Sequence, residues 1–208
     1  MVRIDRVVTR GGDGGMTSLG DGSRLRKDAA RIEAIGAVDE ANAAIGWLRV
    51  IVSDNSRAGD SGPHDTGADG TGPHGTGPHD TGADAMLGRV QNDLFDVGAD
   101  LCVPGEGGDR LRLTDAPVAR LEAEVEAMNA ALPPLTSFIL PGGTEAAARA
   151  HLARVATRRA ERRLVAVEGL NPALGRYLNR LSDHLFVLGR VLNGNGGADV
   201  LWRPGANG

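Results

Sequence analysis

The stretch PALGRYLNRLSDHLFVLGRVL, Pro172–Leu192, decides the fold. Leu174, Leu178, Leu181, Leu185, Leu188 and Leu192 recur at steps of three and four, which places them on one face of an α-helix. Asn171-Pro172 ahead of them is a start signal, a capping side chain followed by a residue suited to the first turn. Moving upstream, the same spacing returns four times. Thr144 to about Glu168 predicts a helix with Leu152, Val155, Leu164 and Val167 on its apolar side, and Gly169 as its stop. Val118, Leu121, Val125, Met128 and Leu132 predict another, starting at Thr114 or Asp115 with Pro117 in its first turn. Leu87, Val90, Leu94, Val97 and Leu101 mark a third. Ile32, Ile35, Val38, Ile45, Leu48 and Val52 mark a fourth, from about Asp28. Helices of about 17–25 residues at about 1.5 Å per residue make rods of roughly 25–37 Å. The expected architecture is all-α, a five-helix bundle with a Gly-rich N-terminal arm, a possible short strand near Ile4–Val8 and a loose tail over 194–208.

Between two of these helices the composition changes. Residues 53–84 contain GPHDTGAD twice, at Gly62–Asp69 and Gly77–Asp84, and after Ser53 no aliphatic side chain larger than alanine. Such a run cannot offset its ordering entropy, so it reads as a disordered loop interrupting a single domain of 1–208. His64, His74 and His79 fit no ligand spacing there. This segment alone carries six Asp and one Arg, or −5 against −4 for the chain, so the remainder is +1. Positive charge held locally in a near-neutral body suits a discrete anionic ligand better than a nucleic-acid track. Three Phe, two Trp and one Tyr argue against a base-stacking platform. No apolar run approaches the roughly 20 residues of a membrane helix, and MVRIDRVVTR lacks a secretory core. Cys102 stands alone, and a reducing, cytoplasmic location is expected.

Four features carry chemistry. TRGGDGGMTSLGDGSRLRK, Thr9–Lys27, holds six glycines, the hydroxyls of Thr17 and Ser18, and the only lysine of the chain. Glycine lets backbone N–H groups close on an anion, although the nucleotide-loop pattern G-x-x-x-x-G-K-[ST] is missing and a mobile arm is the plain alternative. In ARVATRRAERR, Ala153–Arg163, the residues Arg154, Arg158, Glu161 and Arg162 fall within an arc of about 100°, while Arg159 points elsewhere. These guanidiniums repel one another unless an anion or carboxylates intervene, and Asp39 or Glu40 of the first helix could supply a partner. A solvated basic face remains the alternative. SFILPGGT, Ser137–Thr144, places Phe138 in a tight connection where it either packs the bundle end or meets a ligand. Asn179 and Asp183 share a polar face of the last helix, as surface residues or ligand contacts.

Together, TRGGDGGMTSL, IEAIGAVDEANAAIG, FILPGGT, RRAERR and YLNRLSDHLF make the chain resemble the PduO-type ATP:cob(I)alamin adenosyltransferases, over most of its length outside 53–84 and the tail. The resemblance implies a trimer with sites at subunit interfaces, each gripping ATP between one subunit's arm and its neighbour's Arg helix. It implies ATP contacts at Thr9, Arg10, Gly11, Gly12, Thr17, Ser18 and Lys27, and at Arg158, Arg159, Glu161, Arg162 and Asn179. It implies an intersubunit Asp39–Arg154 ion pair beside the corrinoid, and Phe138 beneath the corrin ring. Phe138, Arg154, Asp39 and Arg158 are then the residues nearest the reaction. Magnesium accompanies ATP, potassium is a further candidate ion, and a reductase and a cobalamin-dependent mutase are candidate partners. Gly14 stands where many relatives have Lys, removing one charge.

The expected chemistry is attack of Co(I) on the ribose C5′ of ATP with triphosphate leaving. No protein nucleophile or general base is needed, and the sequence offers no Ser/His/Asp or Cys/His constellation. Positioning and charge stabilisation suffice. His151 and His184 are expected to be structural. A regulator that binds nucleotide without turnover, and a helical assembly or chaperone module, are the rival readings.

Overall fold

The computed structural model describes residues 8, 10–60, 82–105 and 110–206, with 54–60 described by backbone alone. Five helices dominate the described residues: α1 (Ala30–Asp60), α2 (Ala83–Cys102), α3 (Ala116–Asn129), α4 (Glu145–Leu164) and α5 (Pro172–Leu192). The expected all-α bundle is therefore the fold. Asn171 accepts from the N–H of Ala173 at 3.0 Å and Thr144 from that of Ala147 at 3.1 Å, so the caps of α5 and α4 sit where the sequence placed them. The leucine stripe of α5 is buried from Leu174 to Leu188, among the buried Leu87, Val90, Leu94, Val97 and Leu101 of α2. No helix of the described residues is long and apolar enough to cross a membrane.

The apolar face expected of α4 is met only in its second half, where Leu164 is buried and Val167 packs against the core. Ala146, Ala147, Ala150, Ala153, Thr157, Ala160 and Leu164 are buried, whereas Leu152 and Val155 are exposed. This helix lies between α1 and α5, and its alanine face leaves room only for close backbone approach, as where a Cβ built on Gly189 would lie 3.5 Å from Ala150 Cβ. Large side chains are left for the outside. The helix also ends at Leu164, and tighter i→i+3 bonds from Ala166 and Val167 carry the chain to Gly169 at φ 65°.

Two boundaries of the low-complexity segment differ from expectation. α1 continues through Ser53 to Asp60, and α2 begins at Ala83. No proline interrupts Ser53–Asp60, and Asp84 ties the two helices together by receiving Arg49 at 2.8 and 2.9 Å and the Ser53 hydroxyl at 2.9 Å. Residues 61–81 lie outside the described residues, as does the expected strand near Ile4–Val8 apart from Val8.

The arm folds back on itself. β1 (Met16–Ser18) pairs antiparallel with β2 (Arg24–Arg26), with Thr17 opposite Leu25. Asp21-Gly22 in its turn is a hairpin signal, Gly22 taking φ 85°.

The tail is not loose. Arg190, buried near the end of α5, pairs with Asp199 at 2.9 Å, and Asn193 donates to the same carboxylate at 2.9 Å while accepting from Thr144 N–H at 3.0 Å. Beyond this knot Ile139 and Leu201 form an antiparallel bridge. A buried ion pair needs further hydrogen bonds to offset desolvation, and here Arg190 also donates to Pro133 O at 2.8 Å while Asn193 serves the carboxylate, so residues 199–202 are fixed against the Phe138 segment.

Candidate active site

A cleft of about 630 Å³ opens where the connection before α4 meets α4, α5 and the tail. It is lined by Phe138, Ile139 and Pro141 of that connection, by Trp202 of the tail, and by His151 and Arg154 of α4 and Phe186 of α5. Phe138 is 78% exposed, so its ring is offered to the cleft rather than spent on the bundle end. Its ring lies 6.1 Å from that of Trp202, and Arg154 sits over Phe186 at 5.4 Å. Burial, then the positive charge of Arg154, holds the buried His151 below the ordinary imidazole range, so it is neutral at pH 7. Burial and neighbouring Arg158 also lower Arg154, partly opposed by Asp183. His184 is fully buried with Nε2 at 2.8 Å from Glu124, which makes it a structural residue.

From Arg154 the cationic face continues along α4. Arg158 and Arg162 are exposed and have no hydrogen-bond or ion-pair partner among the described residues. Arg159 points off this face, as its spacing predicts, and pairs with Glu40 of α1. Arg163 lies 3.8 Å from Glu33. Glu161 accepts from Asn179 at 2.9 Å, joining α4 to α5 beside the free arginines. Asp39 has no cationic partner among the described residues, and burial raises its pKa.

The arm provides a second cluster. Asp13 N–H bonds Arg10 O, Gly15 N–H bonds Gly12 O, and Lys27 N–H bonds Gly15 O at 2.9 Å, which closes the glycine loop against β2. The N–H groups of Gly11, Gly12 and Gly14 make no hydrogen bond among the described residues. Lys27 lies across Gly12, its Nζ 3.1 Å from where a Cβ would stand, and Arg24 braces Gly11 O at 2.6 Å. The arm thus holds three backbone donors without partners among the described residues, with a primary ammonium beside one of them. Thr17 and Ser18 follow on β1, and Thr9 lies outside the described residues.

Phe138 and Arg154 are thus brought together, as are Glu161, Asn179 and the arginine face. Among the described residues no hydrogen bond or ion pair joins the arm to α4. Trp202 and Phe186 also line the cleft, and local sequence patterns single out neither. The apolar run Val200-Leu201-Trp202 was the available signal, but pairing with a distant loop has no local signature.

Residues 7–192 match the model of the family described as cobalamin adenosyltransferase. The chain is 48% identical to a cobalamin adenosyltransferase of Cupriavidus metallidurans, over 97% of this chain and 96% of that one. It is 42% identical to a corrinoid adenosyltransferase of Mycobacterium tuberculosis, over 99% and 97% of the two chains. Among solved structures it is similar to a variant PduO-type ATP:corrinoid adenosyltransferase from Lactobacillus reuteri complexed with cobalamin and ATP. That likeness has a TM-score of 0.77 and 29% identity, and covers 95% of this chain and 99% of that one.

Proposed function

This chain belongs to the cobalamin adenosyltransferase family, and from that premise we propose how its own residues carry the reaction. The enzyme transfers the 5′-deoxyadenosyl group of ATP to the cobalt of cob(I)alamin, forming adenosylcobalamin and releasing triphosphate. The electron pair of Co(I) forms the Co–C5′ bond as the C5′–O bond breaks, and triphosphate leaves with that bond's pair.

One observation carries the assignment of residues. Arg154 stands in the Phe138 cleft, and Arg158 and Arg162 extend from it along α4 at steps of about 6 Å, unpaired among the described residues. The apolar cleft suits the corrin ring, and the arginine track suits the departing triphosphate. Phe138 faces the lower side of the ring and keeps an axial base from cobalt, so Co(I) is reached more easily. Arg158 and Arg162 stabilise charge that grows as the C5′–O bond breaks, with Glu161 and Asn179 holding the nucleoside side. The Gly11–Gly14 donors, Arg10, Lys27, Thr17, Ser18 and Thr9 close on the phosphates from the arm. Arg159 serves through its pair with Glu40, which holds α4 against α1.

Three copies complete this site. Among the described residues the arm and the arginine track are not joined and Asp39 has no cationic partner, which Arg154 of a neighbour would supply, while Leu152 and Val155 leave apolar surface on α4. Among the described residues no three acidic, histidine or cysteine side chains gather to hold a metal. Magnesium would enter with ATP as part of the substrate and would add to the charge neutralisation that Arg158, Arg162 and Lys27 supply to the phosphates. No step of this reading uses potassium. The need for ATP and for strongly reduced cobalt supports a cytoplasmic location for the reaction.

The test is a spectral assay with ATP, magnesium and chemically reduced cobalamin. Conversion of Co(I) to adenosylcobalamin with equimolar triphosphate is expected, and nucleotide binding without either product would overturn the reading.

A further inference from the structure

We infer that Gly20 is a positioning residue for ATP, because it docks the turn of the arm onto the C-terminal end of α2. The inference rests on the proposal that the arm grips the triphosphate. A helix leaves its last four carbonyls without internal partners. At the end of α2 these are Asp100 to Val103; Asp100 O also receives the Val103 N–H at 3.4 Å, and all four accept from other parts of the chain. Arg112 takes Asp100 O at 3.0 Å and Val103 O at 2.8 Å, and Arg31 of α1 takes Leu101 O at 2.9 Å. The carbonyl of Cys102 receives the N–H of Gly20 at 2.8 Å. Three separate segments therefore converge on one helix end, and the arm is one of them.

Space, not backbone conformation, demands glycine at position 20. Gly22 in the same turn has φ 85°, and a Cβ there would meet nothing. Gly20 is not among the glycines of positive φ, yet its Cβ would lie 2.9 Å from Val103 Cγ2 and 3.4 Å from Cys102 O. Valine is stiff at χ1 and the carbonyl is fixed by the helix, so neither yields cheaply. Neighbouring bonds make the turn rigid. Leu19 is buried and its N–H bonds Ser23 O at 2.8 Å, while the Asp21 carboxylate accepts from the N–H and hydroxyl of Ser23 at 2.9 and 2.6 Å. A rigid turn clamped at one end fixes where β1 and β2 lie, and with them Thr17, Ser18 and Lys27.

The test uses Gly20→Ala, Val103→Ala and the double variant of the full chain. Gly20→Ala is expected to speed amide exchange across residues 11–27 and to raise the KM for ATP about tenfold, with kcat and the KM for cob(I)alamin little changed. Val103→Ala alone is expected to leave activity unchanged. In the double variant it removes the blocking methyls and restores both exchange protection and KM. Failure of that rescue, or no change in exchange in Gly20→Ala, would show that Gly20 does not dock the arm; Lys27→Ala then tests the grip on ATP separately. Faster exchange with an unmoved KM would overturn the inference from the other side, by showing that the docked arm does not grip ATP.

Discussion

The N–H of Trp202 donates to the carbonyl of Phe138 at 2.7 Å, and their rings stand 6.1 Å apart across the mouth of the cleft. Ser137 adds a bond to Trp202 O at 2.8 Å, and Leu140 N–H one to Val200 O at 2.8 Å. The tail therefore holds the backbone of Phe138 while its ring stays exposed. Phe138→Ala removes little buried area, so its stability is expected to change by less than about 1 kcal/mol, unlike a core truncation. ATP binding and transfer to pre-reduced Co(I) persist, while reduction of bound Co(II) becomes harder. Electron paramagnetic resonance of Co(II)alamin with ATP and the variant is expected to lose the four-coordinate signal, and an undiminished signal would refute the role given to Phe138.

The Arg190–Asp199 pair is nearly buried, with side chains 5% and 6% exposed. Asp199→Ala leaves a guanidinium without its counter-charge and is expected to cost about 3–5 kcal/mol. Replacing both residues with apolar ones of similar size is expected to cost less. Urea unfolding of the three proteins measures the difference.

Arg158→Ala and Arg162→Ala remove exposed side chains that have no partner among the described residues, so their unfolding midpoints are expected to match the parent. Each is expected to lose about 2–4 kcal/mol of transition-state stabilisation, read as kcat/KM for ATP. Arg159→Ala loses its pair with Glu40 instead, with a stability cost of about 1 kcal/mol or less and a smaller kinetic effect. Equal kinetic losses in all three would remove the distinction drawn between the two faces.

Glu124 titrates at about 2 rather than 4.5: burial pushes it up, but hydrogen bonds from His184 and Arg89 more than reverse this. A depressed carboxyl contributes stability above its unfolded value, and that contribution is lost as pH falls from about 4.5 to about 2. The size is about 3 kcal/mol. Glu124→Gln is expected to be less stable at pH 7 and to lose less between pH 5 and pH 2.5. Parallel acid dependence of the two proteins, followed by urea midpoints, would contradict this.

Replacing residues 61–81 with a short Gly/Ser bridge is expected to leave helicity and turnover intact, since the segment has no aliphatic side chain larger than alanine. Extending the deletion to 54–84 also removes buried Ala83 and the carboxylate that receives Arg49, and a loss of about 1–2 kcal/mol is expected. Circular dichroism and turnover of both proteins check the pair.

The sequence by itself determined the five helices, the caps at Thr144 and Asn171, the arginine face of α4 and the separation of Arg159 from it. Each follows from spacing within a few residues, where the 3.6-residue period fixes which side chains share a face. Tertiary structure decided what spacing cannot express. α4 turned its alanines inward and left Leu152 and Val155 outside, because close helix packing selects for small size rather than hydrophobicity. The tail joined the cleft through a buried Arg190–Asp199 pair and a bridge between Ile139 and Leu201, residues 62 apart in the chain. Gly20 met Val103 for the same reason: contacts between distant segments depend on where whole helices end, and no local pattern records that.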